Sequence, residues 1–272
     1  MSNDVTPKKV RTASLRDFKT AGQKFSCLTS YDHLTAGIFD EAGIEVLLVG
    51  DSAADNALGY SSTLPITVDE MIPFARAVSS AAKRALVVVD MPFGSYEISP
   101  VDALANGIRI LKESGAHAVK IEGGARVAPQ IEALTAAGVP VMAHLGFTPQ
   151  SVNQLGGFKV QGRGEAADAL LADALAVEAA GAFALVLELV PAPLAAEITA
   201  KLSIPTIGIG AGSGTDGQIL VWTDFAGLTG HKPRKFVRRF ANLRETLLAA
   251  ARGYRNDVAS GGFPSADESF SE

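Results

Sequence analysis

The chain is poor in cysteine, in aromatic residues and in long apolar runs, and each shortage removes a class of protein. Cys27 is the one cysteine in 272 residues, so no intramolecular disulfide can form and a cysteine metal cage is excluded. Its setting, Phe25-Ser-Cys-Leu28, reads as that of a small core hydrophobe. No apolar stretch is both long enough and free enough of polar residues to span a bilayer. The segment from Met1 to Arg16 lacks the apolar core of a secretory signal. Positive charge is not in excess: Lys+Arg is 24 against Asp+Glu 29, a net charge of -5. That balance gives no reason to expect nucleic acid or an anionic membrane as a partner. The basic cluster His231-Lys-Pro-Arg-Lys235, with Arg238 and Arg239, reads as the start of a late helix and as a solvated face or subunit contact. The expected setting is cytoplasmic.

What the chain does have is apolar residues, 47% of the total, arranged in a repeating order. Short apolar runs alternate with Ala- and Leu-rich amphipathic stretches. Eight runs read as strands: Ser26–Thr29, Val46–Gly50, Leu86–Asp90, Ala118–Ile121, Val141–His144, Ala184–Leu187, Thr206–Ile209 and Ile219–Val221. Helices are expected between them over Thr35–Ala42, Thr67–Lys83, Pro100–Ser114, Ala125–Ala137, Glu165–Ala180 and Pro193–Leu202, with a last one from about Arg234 to Arg252. Thr67 with Glu70 forms a capping box, and Ser99 before Pro100 is a cap ahead of a first-turn proline. Alternating strands and helices imply a parallel sheet covered by helices, and eight units suit a closed (β/α)8 TIM barrel. No composition break divides the chain, so one domain is expected over residues 1–272, with an N-terminal extension (about 1–20) and a flexible tail (about 254–272).

Several of these runs end in an acid. Asp51 follows Val46-Leu-Leu-Val-Gly50, Asp90 ends Leu86-Val-Val-Val, Glu122 ends Ala118-Val-Lys-Ile, and Glu188 ends Ala184-Leu-Val-Leu. Parallel strands would deliver these carboxylates to one mouth of a barrel, where active sites lie. Like charges resist joint ionisation, so the convergence points to a cation. Oxygen donors without a cysteine cluster or a paired-histidine motif favour Mg²⁺ over Zn²⁺. Lys120 and Glu122 are two apart and share a face; they form either part of the site or a structural ion pair. Asp32, Ser52 and His144 complete the polar residues at strand ends, with His144 read as a substrate or supporting group. Gly208-Ile-Gly-Ala-Gly-Ser-Gly214 is either a phosphate cradle or a tight turn, and Gly156-Gly157 suggests a loop over the site.

Longer motifs carry a resemblance. Val49-Gly-Asp-Ser52, Leu58-Gly-Tyr60 with Ser62-Thr-Leu-Pro65, Asp90-Met-Pro-Phe-Gly-Ser-Tyr96 and Val119-Lys-Ile-Glu-Gly123 come first. His144-Leu-Gly-Phe-Thr-Pro-Gln-Ser-Val152, Gly157-Phe-Lys-Val-Gln-Gly-Arg163, Leu187-Glu-Leu-Val-Pro191 and Ile207-Gly-Ile-Gly-Ala-Gly212 follow in order. With these runs the chain resembles the ketopantoate hydroxymethyltransferase family. The resemblance implies a barrel of the phosphoenolpyruvate/pyruvate type, and formation of ketopantoate from 3-methyl-2-oxobutanoate, with 5,10-methylenetetrahydrofolate as one-carbon donor and Mg²⁺ as cofactor. It also implies a homodecamer of stacked pentamers (a pentamer of dimers) and a place at the first committed step of pantothenate biosynthesis.

Carried over position by position, Asp51, Asp90 and Glu122 resemble the family's metal-site acids. Asp51, Ser52, Asp90 and Lys120 resemble its oxo-acid binding set, with His144 in the pocket, and Glu188 resembles its proton acceptor. The chain departs from the family's usual apolar stretch at Ala53-Ala-Asp-Asn56, where Asp55 brings a charge near the expected mouth. Two alternatives stand beside this reading. A lyase or mutase of the same superfamily, such as an isocitrate-lyase-like enzyme, would share the metal acids but carries a catalytic cysteine in a loop, which Cys27 does not match. The other alternative is a barrel kept for binding or assembly alone.

Overall fold

The computed structural model describes residues 8–230 and 232–270. They fall into two compact units, divided between Val221 and Trp222. In the first, eight strands close into a parallel barrel in chain order: β1 (Phe25–Thr29), β2 (Val46–Val49), β3 (Leu86–Asp90), β4 (Ala118–Glu122), β5 (Val141–Gly146), β6 (Ala184–Glu188), β7 (Thr206–Ile209) and β8 (Gly217–Leu220). β8 returns to pair with β1, Cys27 opposite Ile219. All eight expected strands are present.

Strands buried on both faces need near-continuous apolar sequence, and β2, β3, β4 and β6 are buried throughout. Alternate residues point into the barrel. Phe25, Cys27, Val46, Leu48, Leu86, Val88, Ala118, Met142, Ala184, Val186, Ile207 and Ile219 form its packed interior, with Val10 and Leu15. Each fully buried Val, Leu, Ile, Phe or Met side chain of this layer contributes roughly 1.5–3 kcal/mol. Cys27 belongs to this layer, and burial next to Glu45 pushes its thiol well above the ordinary range, as befits an inert core residue.

The helices follow their sequence signals. Thr67 and Glu70 cap the helix Val68–Ala81 reciprocally. Ser99 accepts from Asp102 N ahead of the helix Pro100–Ser114, and Gly115 ends that helix in the left-handed conformation. The glycine run after β7 has a packing cause. A Cβ on Gly212 would overlap Ala192, and one on Gly214 would overlap Ala196. The helix Ala192–Lys201 thus lies against this turn so closely that only glycine fits.

The second unit differs from expectation. Residues 234–242 are not helical, and the helix runs over Leu243–Ser260. Backbone donors of the preceding segment are used elsewhere: Phe240 N bonds Phe225 O at 2.9 Å and Leu243 N bonds Ala226 O at 2.9 Å. The Phe240 ring stacks on Phe225 at 5.1 Å, and the Arg238 guanidinium lies 4.5 Å from its centre. An exposed helical glycine costs only about 1 kcal/mol, so the helix passes Gly253 and stops at Gly261. The segment expected to be a tail from Tyr254 is therefore helical to Ser260, and His231 lies outside the described residues. Among the described residues no helix is long and apolar enough to cross a membrane.

Candidate active site

The inward-facing series that fills the barrel changes character at its C-terminal end. Leu86 and Val88 lead to Asp90 on β3, Ala118 to Lys120 and Glu122 on β4, Met142 to His144 on β5, and Ala184 and Val186 to Glu188 on β6. Strand register sets these residues beside one another: Asp90 opposite Lys120, Glu122 opposite His144, and Gly146 opposite Glu188. Asp51 and Ser52 enter just beyond β2.

Lys120 is the hub. Its Nζ lies 2.8 Å from Asp90 Oδ1, 3.1 Å from His144 Nδ1 and 3.7 Å from Glu122 Oε1. Asp90 Oδ2 accepts from Asp51 N at 3.0 Å. Glu122 is 3.3 Å from His144 Nδ1 through Oε1 and accepts from Gln150 N at 3.0 Å through Oε2. Asp51 Oδ2 accepts from Gln150 Nε2 at 2.9 Å. On the far side of the imidazole, His144 Nε2 stands 3.4 Å from Glu188 Oε2 and makes no hydrogen bond. Ser52 Oγ shares a 2.6 Å hydrogen bond with the buried Tyr31 hydroxyl.

Burial and like charge shape the titration of this cluster. Burial, then Asp90 and Glu122, raise Asp51 well above the ordinary carboxyl value, against Lys120 and the Gln150 bond. Burial also raises Asp90, although Lys120 opposes it. Burial would raise Glu122 too, but His144, Lys120 and Gln150 N–H hold it below the usual range. Lys120 is raised despite its burial, because Asp90, Glu122 and Asp51 surround the ammonium. His144 is raised as well: burial and Lys120 act against its charged form, and the contacts with Glu122 and Glu188 outweigh them.

Three carboxyl groups, Asp51, Asp90 and Glu122, face the one Lys120 ammonium within a buried volume, so ionising all three calls for positive charge beyond that of the lysine. Asp90 Oδ1 is buried, and its partner among the described residues is the Lys120 ammonium at 2.8 Å. Hard oxygen donors with surplus negative charge fit a hard divalent cation. Among the described residues no three acids or histidines are grouped closely enough to cage an ion alone. Magnesium needs no such cage, because it keeps several waters and takes one or two carboxylates together with substrate oxygens.

The residues singled out from the sequence thus meet at one mouth, with an exception. Asp32 caps the helix His33–Glu41, accepting from Thr35 N at 2.9 Å and Thr35 Oγ1 at 2.6 Å, which sets it apart from the cluster. The departure at Ala53–Asn56 forms one helical turn with Ala53 and Ala54 buried and Asp55 exposed. The loop with Gly156 and Gly157 lies down: Phe158 stacks on Phe147 at 4.2 Å, and Gln161 N bonds Leu189 O at 2.9 Å. Sequence reasoning passed over Tyr31, Tyr96 and Gln150. The last two stand inside long motifs, Asp90–Tyr96 and His144–Val152, and their membership was the only signal.

Glu188 is fixed through its backbone. Its carbonyl accepts from Phe147 N at 2.7 Å, and Gly146 packs so closely that a Cβ there would overlap Glu188 O. Gly146 has φ 90°, and Leu189 takes the left-handed region at φ 50°, where a non-glycine residue is strained by roughly 1 kcal/mol or more.

The family described as ketopantoate hydroxymethyltransferase matches residues 9–266. A 3-methyl-2-oxobutanoate hydroxymethyltransferase of Rhodococcus jostii (strain RHA1) is 58% identical over 269 residues, covering 99% of this chain and 93% of that protein. One of Mycobacterium tuberculosis (strain ATCC 25618 / H37Rv) is 60% identical over 262 residues, covering 96% and 93%. Among solved structures, phosphonopyruvate hydrolase in complex with oxalate and Mg++ superposes with a TM-score of 0.61 at 14% identity, covering 95% of this chain and 93% of that one. A 2,3-dimethylmalate lyase of the PEP mutase/isocitrate lyase superfamily gives 0.58 at 19% identity, covering 96% and 91%. These two likenesses concern the fold.

Proposed function

The chain belongs to the ketopantoate hydroxymethyltransferase family, and from that premise we propose how its residues act. It is an enzyme that transfers a hydroxymethyl group to 3-methyl-2-oxobutanoate, forming ketopantoate. In our reading the donor is 5,10-methylenetetrahydrofolate. Asp51 and Asp90 would hold a magnesium ion, with Glu122 behind them. Bound there, the ion would supply Lewis-acid stabilisation of negative charge on the keto oxygen.

The protein's own groups do the rest. The Lys120 ammonium and the Ser52 hydroxyl bind and orient the substrate carboxylate. Tyr31 holds Ser52 for this task. Glu188 takes the proton from C3 as general base, and His144 aims its carboxylate. The C3 carbanion equivalent then attacks the methylene carbon of the folate and breaks one of its two C–N bonds. Water replaces the second, leaving the hydroxymethyl group on C3, and the freed nitrogens of tetrahydrofolate take up the proton held by Glu188 and one from the water. One observation carries this reading: four acids and a lysine from neighbouring strands converge, yet Glu188 alone stands beyond His144, away from the ammonium.

Purified protein supplied with the oxo acid, the folate and Mg²⁺ should form ketopantoate, and exhaustive chelation should abolish it. Asp90→Ala should weaken metal-dependent oxo-acid binding by more than about a hundredfold, beyond the 10–100-fold of an outer-shell partner. Full activity after chelation would overturn the metal assignment. Gly146→Ala tests the scaffold. The added methyl must displace Glu188 O, and displacements near 1 Å cost about a hundredfold in rate. Steady-state turnover should fall by about that factor with Mg²⁺ affinity retained.

We also propose a cytoplasmic homodecamer. Leu34, Ile38, Ile98 and Val101 are 63–78% exposed, on or beside helices His33–Glu41 and Pro100–Ser114, and offer apolar surface for subunit contact. A solution mass ten times the chain's 28.2 kDa is the expected measurement.

A further inference from the structure

Gln150 reaches three strand ends at once. It lies on the single turn Pro149–Ser151 that follows β5. Its backbone N donates to Glu122 Oε2 at 3.0 Å, at the end of β4. Its side-chain Nε2 donates to Asp51 Oδ2 at 2.9 Å, beyond β2, and to Met91 O at 3.0 Å, beyond β3. Both amide hydrogens are thereby used. Its Oε1 accepts from the Tyr96 hydroxyl at 2.6 Å. That hydroxyl in turn accepts from Glu122 N at 3.1 Å.

The donors run in one direction. Glu122 N–H gives to Tyr96, the Tyr96 O–H gives to Gln150 Oε1 at 2.6 Å in preference to Glu122 O at 3.3 Å, and the Gln150 amide gives to Asp51. The amide cannot be turned over, because its NH₂ faces a carboxylate and a carbonyl while its oxygen faces a hydroxyl. Tyr96 and Gln150 are both buried, so no solvent competes for these bonds. Burial also keeps the Tyr96 hydroxyl protonated and able to donate. One oxygen of Asp51 is therefore tied, while Oδ1 has no hydrogen bond within the described residues.

We propose that Tyr96 and Gln150 form a positioning relay that fixes the rotamer of Asp51, presenting its second oxygen for a divalent cation and, through that, for the oxo acid. Outer-shell partners of ligating carboxylates typically contribute 10–100-fold in metal affinity. The proposal rests on the reading that Asp51 helps to hold the cation. Neither residue touches substrate in this account; both act through Asp51.

The test uses the full chain with Mn²⁺ as a spectroscopic probe of Mg²⁺ binding. Gln150→Met keeps the volume and removes the amide, and Tyr96→Phe removes a single oxygen. Gln150→Met should raise the Mn²⁺ dissociation constant about tenfold, and Tyr96→Phe should raise it by a smaller factor. KM for the oxo acid should rise in parallel, with KM for the folate unchanged. Because the two act in series, the double variant should bind Mn²⁺ no worse than Gln150→Met alone. Mn²⁺ binding within twofold of wild type in both folded single variants would overturn the relay. So would losses that multiply in the double variant. Failure of the wild-type chain to bind Mn²⁺ at all would instead sink the metal reading on which the relay rests.

Discussion

Glu188→Gln is expected to lower exchange of the C3 proton of 3-methyl-2-oxobutanoate with solvent deuterium by about a thousandfold, within the range of general-base catalysis. Mg²⁺-dependent binding of the oxo acid should stay within about threefold of wild type, since the lost interaction belongs to proton transfer. The separation follows from geometry. Among the described residues the Glu188 carboxylate meets only the His144 imidazole, at 3.4 Å, and its side chain is 12% exposed, against 1% for Glu122. Its backbone is held by Phe147 N, which the substitution does not disturb. Deuterium incorporation followed by proton NMR in the absence of folate isolates this step. Exchange at the wild-type rate would remove Glu188 from the role of base.

Lys120→Met should destabilise the fold by about 3–5 kcal/mol at neutral pH, the range for stripping one partner from a buried ion pair. Its ammonium is the countercharge to Asp90 and Glu122, and all three are almost fully buried. Acid should restore part of the loss. Asp51 and Asp90 already sit above the ordinary 3.8 in the folded chain, and losing Lys120 moves them further up. A carboxyl raised by folding binds more protons in the native state than in the unfolded one. Its contribution is most favourable at low pH and declines as pH rises through the folded value. Urea unfolding at pH 5 and pH 7 should therefore show the variant closer to wild type at pH 5. Added Mg²⁺ should also help at pH 7, by about 2.7 kcal/mol at a hundred times its dissociation constant. Equal stability of variant and wild type at pH 7 would defeat the charge argument.

The barrel was legible because its signal is strong and local. Eight apolar runs, all but the seventh followed by an amphipathic stretch, place every strand within a residue or two at its ends. The two-residue period placed Lys120 and Glu122 on one face, and the same period put them inside the barrel. Asp32 looked like the other strand-end acids, but Thr35 three residues later makes it a cap. Tyr31, Tyr96 and Gln150 escaped because uncharged polar residues in loops show no period and no charge pattern. Their roles depend on contacts up to 99 positions apart in the chain, as between Asp51 and Gln150. The last helix began later than expected because its predicted first turns bond back to residues 225 and 226, which no local propensity records.

The charged groups of the mouth stand directly on the apolar layer of Val88, Met142 and Val186, in the same strands and one inward step along. Lys120 O accepts from Met91 N, and His144 O accepts from Gly123 N, so the backbone of the residues at the mouth is part of the barrel ladder itself. Opening it locally would break ladder bonds shared by neighbouring strands. Amide hydrogens of β3, β4 and β5 should then exchange only through global unfolding. On heating, activity and the barrel should disappear together, in one cooperative transition, with no stage at which an intact scaffold carries a melted site.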